Sequence, residues 1–366
     1  MSYLYPSITI NGREVSLYDI VHQAAAANSE FEVSTFNFIR RWLRNESTFE
    51  IHTSGSTGTP KKIVITRSQM VVSARMTEHA LKLQAGYTAL VCLNTQYIAG
   101  QMMLVRCFTT GMRIMAIDPN ANPLASIPAD VHIDFTAWVP YQVYEILASP
   151  QANRLNAVRY SIIGGAPLNR EAIQALQQYS CRFFATYGMT ETISHIALQS
   201  LNGNAPSPVF QALPGISIYT DARGCLVIEA PHLPERIVTN DLVEMKEKDS
   251  FVWLGRWDNI INSGGVKIIP EKVEQAAGEV LSKCGVNRSF FIAAKPDSKL
   301  GQKIILLLEG KDDVESIPRE LIYKEFKQAV SAYEIPRDII VVEQFAYTNT
   351  GKIDRRKTIE MITNRS

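Results

Sequence analysis

The sequence has almost no net charge, because its 37 Lys and Arg residues are balanced by 36 Asp and Glu. A protein that binds nucleic acid or an anionic membrane over its surface needs an excess of basic groups, so we predict no such partner. Cysteine is also scarce. The five cysteines lack the paired spacing of a zinc site or a disulfide framework, and this scatter predicts reduced thiols, as in the cytoplasm. They are Cys92, Cys107, Cys181, Cys225 and Cys284.

Long apolar runs are missing as well. The chain has no run of about 18 apolar residues, and residues 1–12 lack the charged and apolar regions of a secretion signal. We therefore expect neither a membrane span nor export. The proportions of 46% hydrophobic and 20% charged residues are those of a globular protein. A chain of 366 residues exceeds one typical domain, so we expect a domain of about 250 residues and another of about 100.

Short apolar runs alternate with longer amphipathic segments between residues 49 and 185. This alternation is typical of parallel strands separated by helices. Before it, a capping pattern at Ser16 predicts a helix over residues 16–27, and a second helix follows. The sequence thus predicts an α/β fold with layered sheets.

After Pro214 the pattern changes to short β runs separated by turn residues, which indicates a meander or a distorted, barrel-like sheet. From Asp258 onward, short strands surround helices, the pattern of a small α+β domain. We therefore predict a large N-terminal domain over residues 1–257, which includes the small β-barrel-like part. A small C-terminal domain would span residues 258–366.

The densest group of hydroxyl and glycine residues lies early in the chain and ends in a lysine. Backbone N–H groups, hydroxyls and a positive charge are the donors that hold triphosphate oxygens, so we interpret the segment as a phosphate-binding loop. It differs from a Walker loop because proline, not glycine, precedes the lysine. A flexible turn between two strands is the alternative. The segment reads Thr53, Ser54, Gly55, Ser56, Thr57, Gly58, Thr59, Pro60, Lys61.

A second polar segment, residues 185–192, is expected where a strand ends and a helix begins. Ligands of open α/β sheets bind at that edge. Tyr187 could stack on a base, Gly188 would let a ligand approach the backbone, and Thr190 could reach a phosphate. Glu191 offers the oxygen ligand that Mg²⁺ takes beside phosphates. An ordinary helix N-terminus, capped by Thr190, is the alternative.

Together these segments resemble the acyl-adenylate-forming (AMP-binding) superfamily, which includes acyl-CoA synthetases, carrier-protein adenylation domains and luciferases. Four further segments continue the resemblance in the family's order. The loop of Gly164, Gly165, Ala166 and Pro167 is similar to the adenine-side loop, and Thr239, Asn240 and Asp241 are similar to the ribose-binding motif. Residues 255–268 resemble the hinge with its glycine loop, and residues 350–355 resemble the catalytic-lysine motif.

The resemblance implies that ATP, Mg²⁺ and coenzyme A take part in the reaction. Asp241 would accept hydrogen bonds from the ribose diol, and Arg256 would donate to the sugar or to a phosphate. Lys352 would lie between the attacking carboxylate and the α-phosphate. Lys61 and a Mg²⁺ ion at Glu191 would neutralise the departing pyrophosphate. An exposed surface lysine is the alternative for Lys352.

The same resemblance predicts a hinge at Asp258, about which the C-terminal domain rotates between adenylation and thioester formation. Gly264 and Gly265 would then line the channel for the thiol arm, because glycine lets the arm pass close to the backbone.

Residues 97–106 and 188–197 are similar to the o-succinylbenzoate–CoA ligases of menaquinone biosynthesis within that superfamily. An aromatic dicarboxylic acid needs an apolar slot and a donor for the carboxylate that does not react. We expect Tyr97 and Gly100 at the acyl pocket, and Arg106, Ser194 and His195 are candidates for the donor. A structural ion pair is the alternative for Arg106, and a core histidine is the alternative for His195.

Three departures from the family pattern bear on these assignments. Asn240 replaces a glycine, Tyr97 replaces a histidine common among relatives, and few residues precede Thr53, so the walls of the acyl pocket would be thin or completed by a partner chain. Loading of an aryl or amino acid onto a carrier-protein thiol stays open as the alternative reaction. A non-catalytic nucleotide-binding protein is a further alternative, but the expected acidic and basic residues are all present. The oligomeric state is left open.

Overall fold

The computed structural model of the protein describes residues 4–23, 25–52, 62–203, 207–311, 317–347 and 353–363. The chain forms two compact units. Unit 1 comprises residues 1–219, 227–237 and 246–251, and unit 2 comprises residues 220–226, 238–245 and 252–366. The boundary predicted after residue 257 separates two parts of the chain that would rotate relative to each other. Contacts within the two units do not test such a rotation, so this boundary stays a prediction.

Unit 1 is built from strands and helices that alternate along the chain. Its strands are β1 (Ser7–Ile10), β2 (Arg13–Ser16), β3 (Thr48–His52), β4 (Lys62–Thr66), β5 (Thr88–Val91), β6 (Arg113–Ala116), β7 (Ile133–Trp138), β8 (Val158–Ile163), β9 (Arg182–Gly188), β10 (His195–Ser200) and β11 (Phe210–Ala212). Its α-helices are α1 (Glu30–Leu43), α2 (Arg67–Leu81), α3 (Ile98–Thr110), α4 (Pro140–Ala148) and α5 (Arg170–Leu176). Shorter turns are a π-helical turn at Asp19–Gln23 and 3₁₀ turns at Pro123–Ser126 and Ala152–Ala157.

One open sheet runs through unit 1 in the order β2-β1-β6-β5-β7-β8-β9-β10-β11. The strands from β1 to β9 in this order pair in parallel, as the sequence predicts, whereas β2, β10 and β11 pair antiparallel. Strand order reverses at β5, because β6 lies on one side of it and β7 on the other. Ligands of open α/β sheets bind at the carboxyl ends of the strands beside such a reversal. β3 and β4 form a separate antiparallel pair.

The parallel strands are apolar because helices cover them. Trp138 of β7 and Phe183 of β9 lie in one buried cluster with Ile146 of α4 and Leu176 of α5. Burying each such side chain contributes about 1.5–3 kcal/mol. This packing therefore holds in place the carboxyl ends of the strands, where the candidate site lies.

The helix predicted over residues 16–27 is shorter in the structure, which has the π-helical turn Asp19–Gln23 there. Ser16 Oγ accepts a hydrogen bond from Tyr18 N (3.1 Å), so the capping pattern closes a local turn. The second predicted helix is confirmed as α1, whose first turn is capped by Ser29.

Four strands contribute residues to both units, and they are β12 (Ser217–Thr220), β13 (Cys225–Glu229), β14 (Ile237–Glu247) and β15 (Ser250–Arg256). The strands wholly within unit 2 are β16 (Ile261–Ser263), β17 (Val266–Ile268), β18 (Phe290–Asp297), β19 (Gly301–Glu309) and β20 (Asp338–Val342). Its helices are α6 (Pro270–Lys283), α7 (Arg319–Ala329) and α8 (Arg355–Thr363), and a 3₁₀ turn spans Trp257–Asn259.

β19 is the central strand of the unit 2 sheet, where it pairs with β16, β18 and β20, and β18 lies at the end of that sheet. Successive side chains of a strand point to opposite faces. Ile304, Leu306 and Leu308 lie in one buried cluster with residues of α6 and α7, whereas Ile305 and Leu307 lie in a second cluster. The small α+β domain predicted from the sequence is therefore present.

The barrel-like part of the prediction needs correction. The sheets formed by the described residues are open, and none of them closes into a barrel. Short strands between turn residues occur in meanders and in barrels alike, because closure depends on strand tilt and stagger that this pattern does not encode. Within the described ranges, no helix is long and apolar enough to cross a membrane.

Candidate active site

The carboxyl ends of β8 and β9 bring two predicted segments together. These strands are parallel neighbours, with Ile163 opposite Ala185, so the loop that begins at Gly164 lies beside Thr186. A Cβ on Gly164 would stand only 2.6 Å from Thr186 Oγ1. Gly165 adopts a φ of 95°, which favours glycine. The loop at residues 164–167 and the segment around Tyr187 therefore share one edge of the sheet, where a ligand site is expected.

The segment after β9 is a tight reversal of the chain and not the predicted start of a helix. Thr192 Oγ1 accepts a hydrogen bond from Met189 N (2.9 Å) and donates to Ser194 O (2.7 Å). Ile193 adopts a φ of 69°, which is unusual for a β-branched residue. The chain then returns as β10, antiparallel to β9. A threonine that can cap a helix can also close a turn, and here the turn is formed.

The reversal leaves Glu191 exposed and accessible to a cation. Across the described ranges, no group of three His, Cys, Asp or Glu side chains could hold a metal ion by itself. A Mg²⁺ ion at Glu191 would therefore need phosphate oxygens and water for its remaining positions, which is how Mg²⁺ is commonly bound in nucleotide sites. The residues present fit that kind of site.

Gly188 and Tyr187 also serve the fold. A Cβ on Gly188 would stand 2.5 Å from His195 Cα on the returning strand, so the close approach predicted at this glycine is made by β10. The ring of Tyr187 lies edge-on to Phe251, with ring centroids 5.1 Å apart. These contacts fix the position of both residues at the sheet edge.

Arg106 of α3 is a buried charge, with 2% of its surface exposed. Its Nη2 donates to Ser194 Oγ (2.6 Å) and His195 Nδ1 (3.4 Å), and its Nε donates to Thr77 Oγ1 (3.3 Å). All three partners are neutral, and no carboxylate of the described residues pairs with the guanidinium. The structure thus brings the three candidate donors Arg106, Ser194 and His195 together, and among the described residues the ion pair considered as the alternative for Arg106 is absent. We call these three residues and Thr77 the arginine cluster.

The hydrogen bonds define the protonation state of His195. A guanidinium can only donate, so Nδ1 of His195 is the acceptor and Nε2 carries the proton, which faces Thr77 Oγ1 at 3.1 Å. Burial, and secondly the charge of Arg106, lower the pKa of His195 well below its usual range. Since both ring nitrogens are engaged within the protein, the geometry fits the core-histidine alternative more closely than a donor to a substrate.

Sequence analysis does not single out Thr77, which accepts a hydrogen bond from Arg106. A signal is present in the sequence, because Met70, Ala74, Thr77 and Leu81 repeat at helical spacing and are all buried on α2. A hydroxyl within such an apolar stripe requires a buried hydrogen-bond partner.

Tyr97 and Gly100 lie at the start of α3, directly after the strand at which the sheet order reverses. Tyr97 precedes the first turn and is 49% exposed. A Cβ on Gly100 would stand 2.5 Å from Asn94 O, so glycine lets the preceding loop pack against the helix. The place of Tyr97 and Gly100 in the fold is compatible with a site at the carboxyl ends of the strands. Their contact with an acid stays a prediction.

In unit 2, the residues predicted to hold the ribose are neighbours. Asp241 is 7% exposed and accepts a hydrogen bond from Trp253 Nε1 at 3.2 Å. Arg256 Nη1 lies 3.7 Å from Asp241 Oδ1. Asp258, the predicted hinge residue, lies in the turn Trp257–Asn259. A buried carboxylate beside a guanidinium has the acceptors and donors that a ribose diol requires.

Gly264 and Gly265 form the turn between β16 and β17, with φ angles of 59° and 84°. No atom lies within 4 Å of the place where a Cβ on Gly265 would stand. The turn therefore requires glycine for its conformation and leaves open space beside it.

Two predicted segments lie outside the described residues. They are the phosphate-binding loop from Thr53 to Lys61 and the motif that contains Lys352. Their roles stay predictions.

An open parallel sheet that carries a glycine loop and an acidic turn at the carboxyl ends of its strands defines a nucleotide-binding protein of the α/β class. The chain belongs to the AMP-binding enzyme family, whose sequence profile matches residues 11–225. A solved structure of the acyl-CoA synthetase (AMP-forming)/AMP-acid ligase II-like protein from Dyadobacter fermentans is 40% identical, with a TM-score of 0.62, and the match covers 92% of this chain and 95% of that one.

Other relatives carry more specific names. The chain is 27% identical to the 2-succinylbenzoate–CoA ligase of Haemophilus influenzae, over 78% of this chain and 66% of that one. It is 26% identical to the probable 2-succinylbenzoate–CoA ligase of Mycobacterium tuberculosis, over 83% and 82%. The o-succinylbenzoate coenzyme A synthetase of Bacillus subtilis, solved with ATP and a magnesium ion, has the same fold, with a TM-score of 0.71, 19% identity, and coverage of 85% and 69%.

Proposed function

We propose that this protein uses ATP to activate a carboxylic acid as an acyl-adenylate and then transfers the acyl group to coenzyme A. The acid is 2-succinylbenzoate, which places the reaction in menaquinone biosynthesis. Family membership and the names of the relatives support this reaction. The observation that carries the choice of a dicarboxylic acid is the buried guanidinium of Arg106, which has only neutral partners among the described residues.

A buried charge without a counter-charge destabilises the folded state. A dicarboxylic acid can supply the missing anion, because one carboxylate reacts at the α-phosphate while the other is free to pair with Arg106. Ser194, which already accepts from Arg106 Nη2, belongs to the same reversal of the chain as Glu191. An acid held at Arg106 would therefore extend toward the acidic turn.

For ATP we propose three groups of contacts. The adenine lies beside residues 164–167 and Tyr187, and the ribose is held by Asp241 and Arg256. The phosphates are held by the hydroxyls and N–H groups of Thr53, Ser54, Gly55, Ser56, Thr57 and Gly58, by Lys61 and by Thr190. A Mg²⁺ ion bound by Glu191 would supply charge neutralisation at the phosphate oxygens.

Adenylation brings two anions together, the carboxylate and the α-phosphate. We propose that Lys352 lies between them and stabilises the charge that develops in the transition state. Thioester formation needs that space cleared, so we propose that residues 258–366 rotate about Asp258. The turn at Gly264 and Gly265, which leaves open space beside Gly265, then lines the path of the thiol arm.

The proposal is tested by pyrophosphate release over a panel of acids, with and without coenzyme A. The panel contains 2-succinylbenzoate and two analogues, in each of which a methyl group replaces a different one of the two carboxylates, so that one analogue keeps the carboxylate that reacts. The wild type should prefer the dicarboxylate by at least about tenfold, the value of one charge-assisted hydrogen bond. Arg106→Met should lose this preference, whereas the control Arg113→Met, at an exposed arginine on the strand after α3, should retain it.

Two results would contradict the proposal. No pyrophosphate release with any acid would remove the adenylation step. An equal preference in the wild type and in Arg106→Met would remove Arg106 from the acid site. Adenylate formation with no thioester on addition of coenzyme A would instead favour a carrier-protein thiol as the acceptor.

A further inference from the structure

Asn240 contacts the predicted hinge residue. Its Nδ2 donates to both carboxylate oxygens of Asp258, at 3.2 Å from each. Arg256 Nη2 donates to the same carboxylate at 2.8 Å. Two side chains of unit 2 thus donate to the carboxylate of Asp258, and we call Asn240, Arg256 and Asp258 the hinge clasp.

A second arginine, Arg223, fixes the orientation of the Asn240 amide. Arg223 Nη1 donates to Asn240 Oδ1 at 2.8 Å, and Arg223 is itself paired with Asp221 at 2.8 Å. A guanidinium only donates and a carboxylate only accepts. The amide oxygen must therefore face Arg223 and the amide nitrogen must face Asp258. Glycine and alanine cannot make either contact, and aspartate cannot donate to Asp258.

We propose that Asn240 is a positioning residue that restrains rotation about Asp258 between the two half-reactions. This inference rests on the proposed function, because a ligase with two successive steps is what requires the rotation. When the backbone at Asp258 turns, its carboxylate must leave Asn240 or Arg256, so the clasp contributes to the barrier. Arg256 also lies 3.7 Å from Asp241, which joins the clasp to the proposed ribose site.

The effect of the clasp is moderate, because the side chains of Asp258 and Arg256 are 50% and 45% exposed and water competes for their charges. Removing the Asn240 amide should change the affected rates by about three- to tenfold, the range of one net hydrogen bond. Asn240→Asp should act more strongly than Asn240→Ala, because it places a second carboxylate against Asp258.

Hydrogen exchange of the backbone amides of residues 257–262 tests the clasp directly in the full chain. Asn240→Ala should raise their exchange rates by about three- to tenfold, and Asn240→Asp should raise them further, with the melting temperature unchanged. Val238→Ala is the matched control, because Val238 is 51% exposed and lies two residues away on the same face of β14. Wild-type exchange in both Asn240 variants would overturn the proposal.

Single-turnover conversion of a preformed acyl-adenylate to the thioester supplies the second readout. The variants should accelerate this step in the order of their hinge exchange rates. Combining Asn240→Ala with Asp258→Ala should add nothing to the effect of Asp258→Ala, and additive effects would overturn the proposal. If the wild type forms no thioester, the proposed function fails, while hydrogen exchange still decides whether the clasp exists.

Discussion

Replacing Arg106 by methionine should leave the stability of unit 1 nearly unchanged, although the side chain is almost completely buried. Burial lowers the pKa of Arg106 to about 10. At about 1.4 kcal/mol per pH unit, this lowering from the usual value corresponds to about 3 kcal/mol of charge desolvation. Because folding lowers the pKa of this base, the penalty is fully present below pH 10, and methionine removes it at neutral pH.

The opposing contribution to the free energy of unfolding comes from the hydrogen-bond acceptors that lose Arg106 as their donor. Thr77 keeps the contact with His195, and Ser194 is only partly buried, so neither is left without a partner or water. His195 Nδ1 keeps only a long contact with Ser194 Oγ at 3.5 Å, so it is the acceptor at risk, at a cost of up to about 1–3 kcal/mol. The two terms nearly cancel, and we expect a change in the free energy of unfolding of less than about 2 kcal/mol.

Urea unfolding of the two proteins, followed by circular dichroism and by tryptophan fluorescence, measures this difference. Arg106→Ala serves as the comparison, because the cavity that it leaves should cost about 2–5 kcal/mol. Breaking a buried ion pair costs more than about 3 kcal/mol of the free energy of unfolding, so a loss of that size in Arg106→Met would indicate such a pair. That result would refute our reasoning, since it would show that the guanidinium has an anionic partner within the protein.

Three further outcomes are expected. Lys352→Ala should nearly abolish pyrophosphate release while a preformed acyl-adenylate is still converted to thioester, and release at the wild-type rate would remove the role of Lys352. Asp241→Ala should raise the KM for ATP by roughly tenfold to a hundredfold, through lost hydrogen bonds worth roughly 1.5–3 kcal/mol, and an unchanged KM would take Asp241 out of the nucleotide site. The free energy of unfolding should fall as the pH falls below about 6.5, because His195 then binds a proton in the unfolded chain, whereas its lowered pKa prevents this in the folded state. His195→Gln should reduce that acid sensitivity, and identical pH profiles would exclude His195 as its source.

The layer of parallel strands could be predicted because its signal is local. Each strand is a short apolar run, and each connection contains an amphipathic helix, so the alternation alone indicates the architecture. The reversal after β9 could not be predicted in the same way. Thr192 closes a turn with the hydrogen bonds that a capping threonine also makes, and the return of the chain as β10 depends on pairing with β9.

Some contacts of the candidate site could likewise be predicted from the sequence, and others could not. The motifs indicate which residues belong together, and the structure brings Asp241 and Arg256 to within 3.7 Å of each other. The contact between Arg106 and Thr77 joins residues 29 positions apart and depends on how their two helices pack. Such a contact has no signature in spacing, although it is one of the three hydrogen bonds that hold the guanidinium.

The position of β18 at the end of the unit 2 sheet affects how this protein behaves at high concentration. A terminal strand offers unpaired backbone groups to another chain, although Ile292 N already donates to Glu274 Oε1 of α6 at 2.8 Å. The first half of β18, residues 290–294, has the apolar composition that favours aggregation. The second half contains Lys295 and Pro296. Because proline has no N–H to donate and lysine repels an identical copy, an approaching strand could extend the sheet along only part of this edge. Replacing Pro296 by a β-branched residue would lengthen the edge open to self-association without altering any residue of the candidate site.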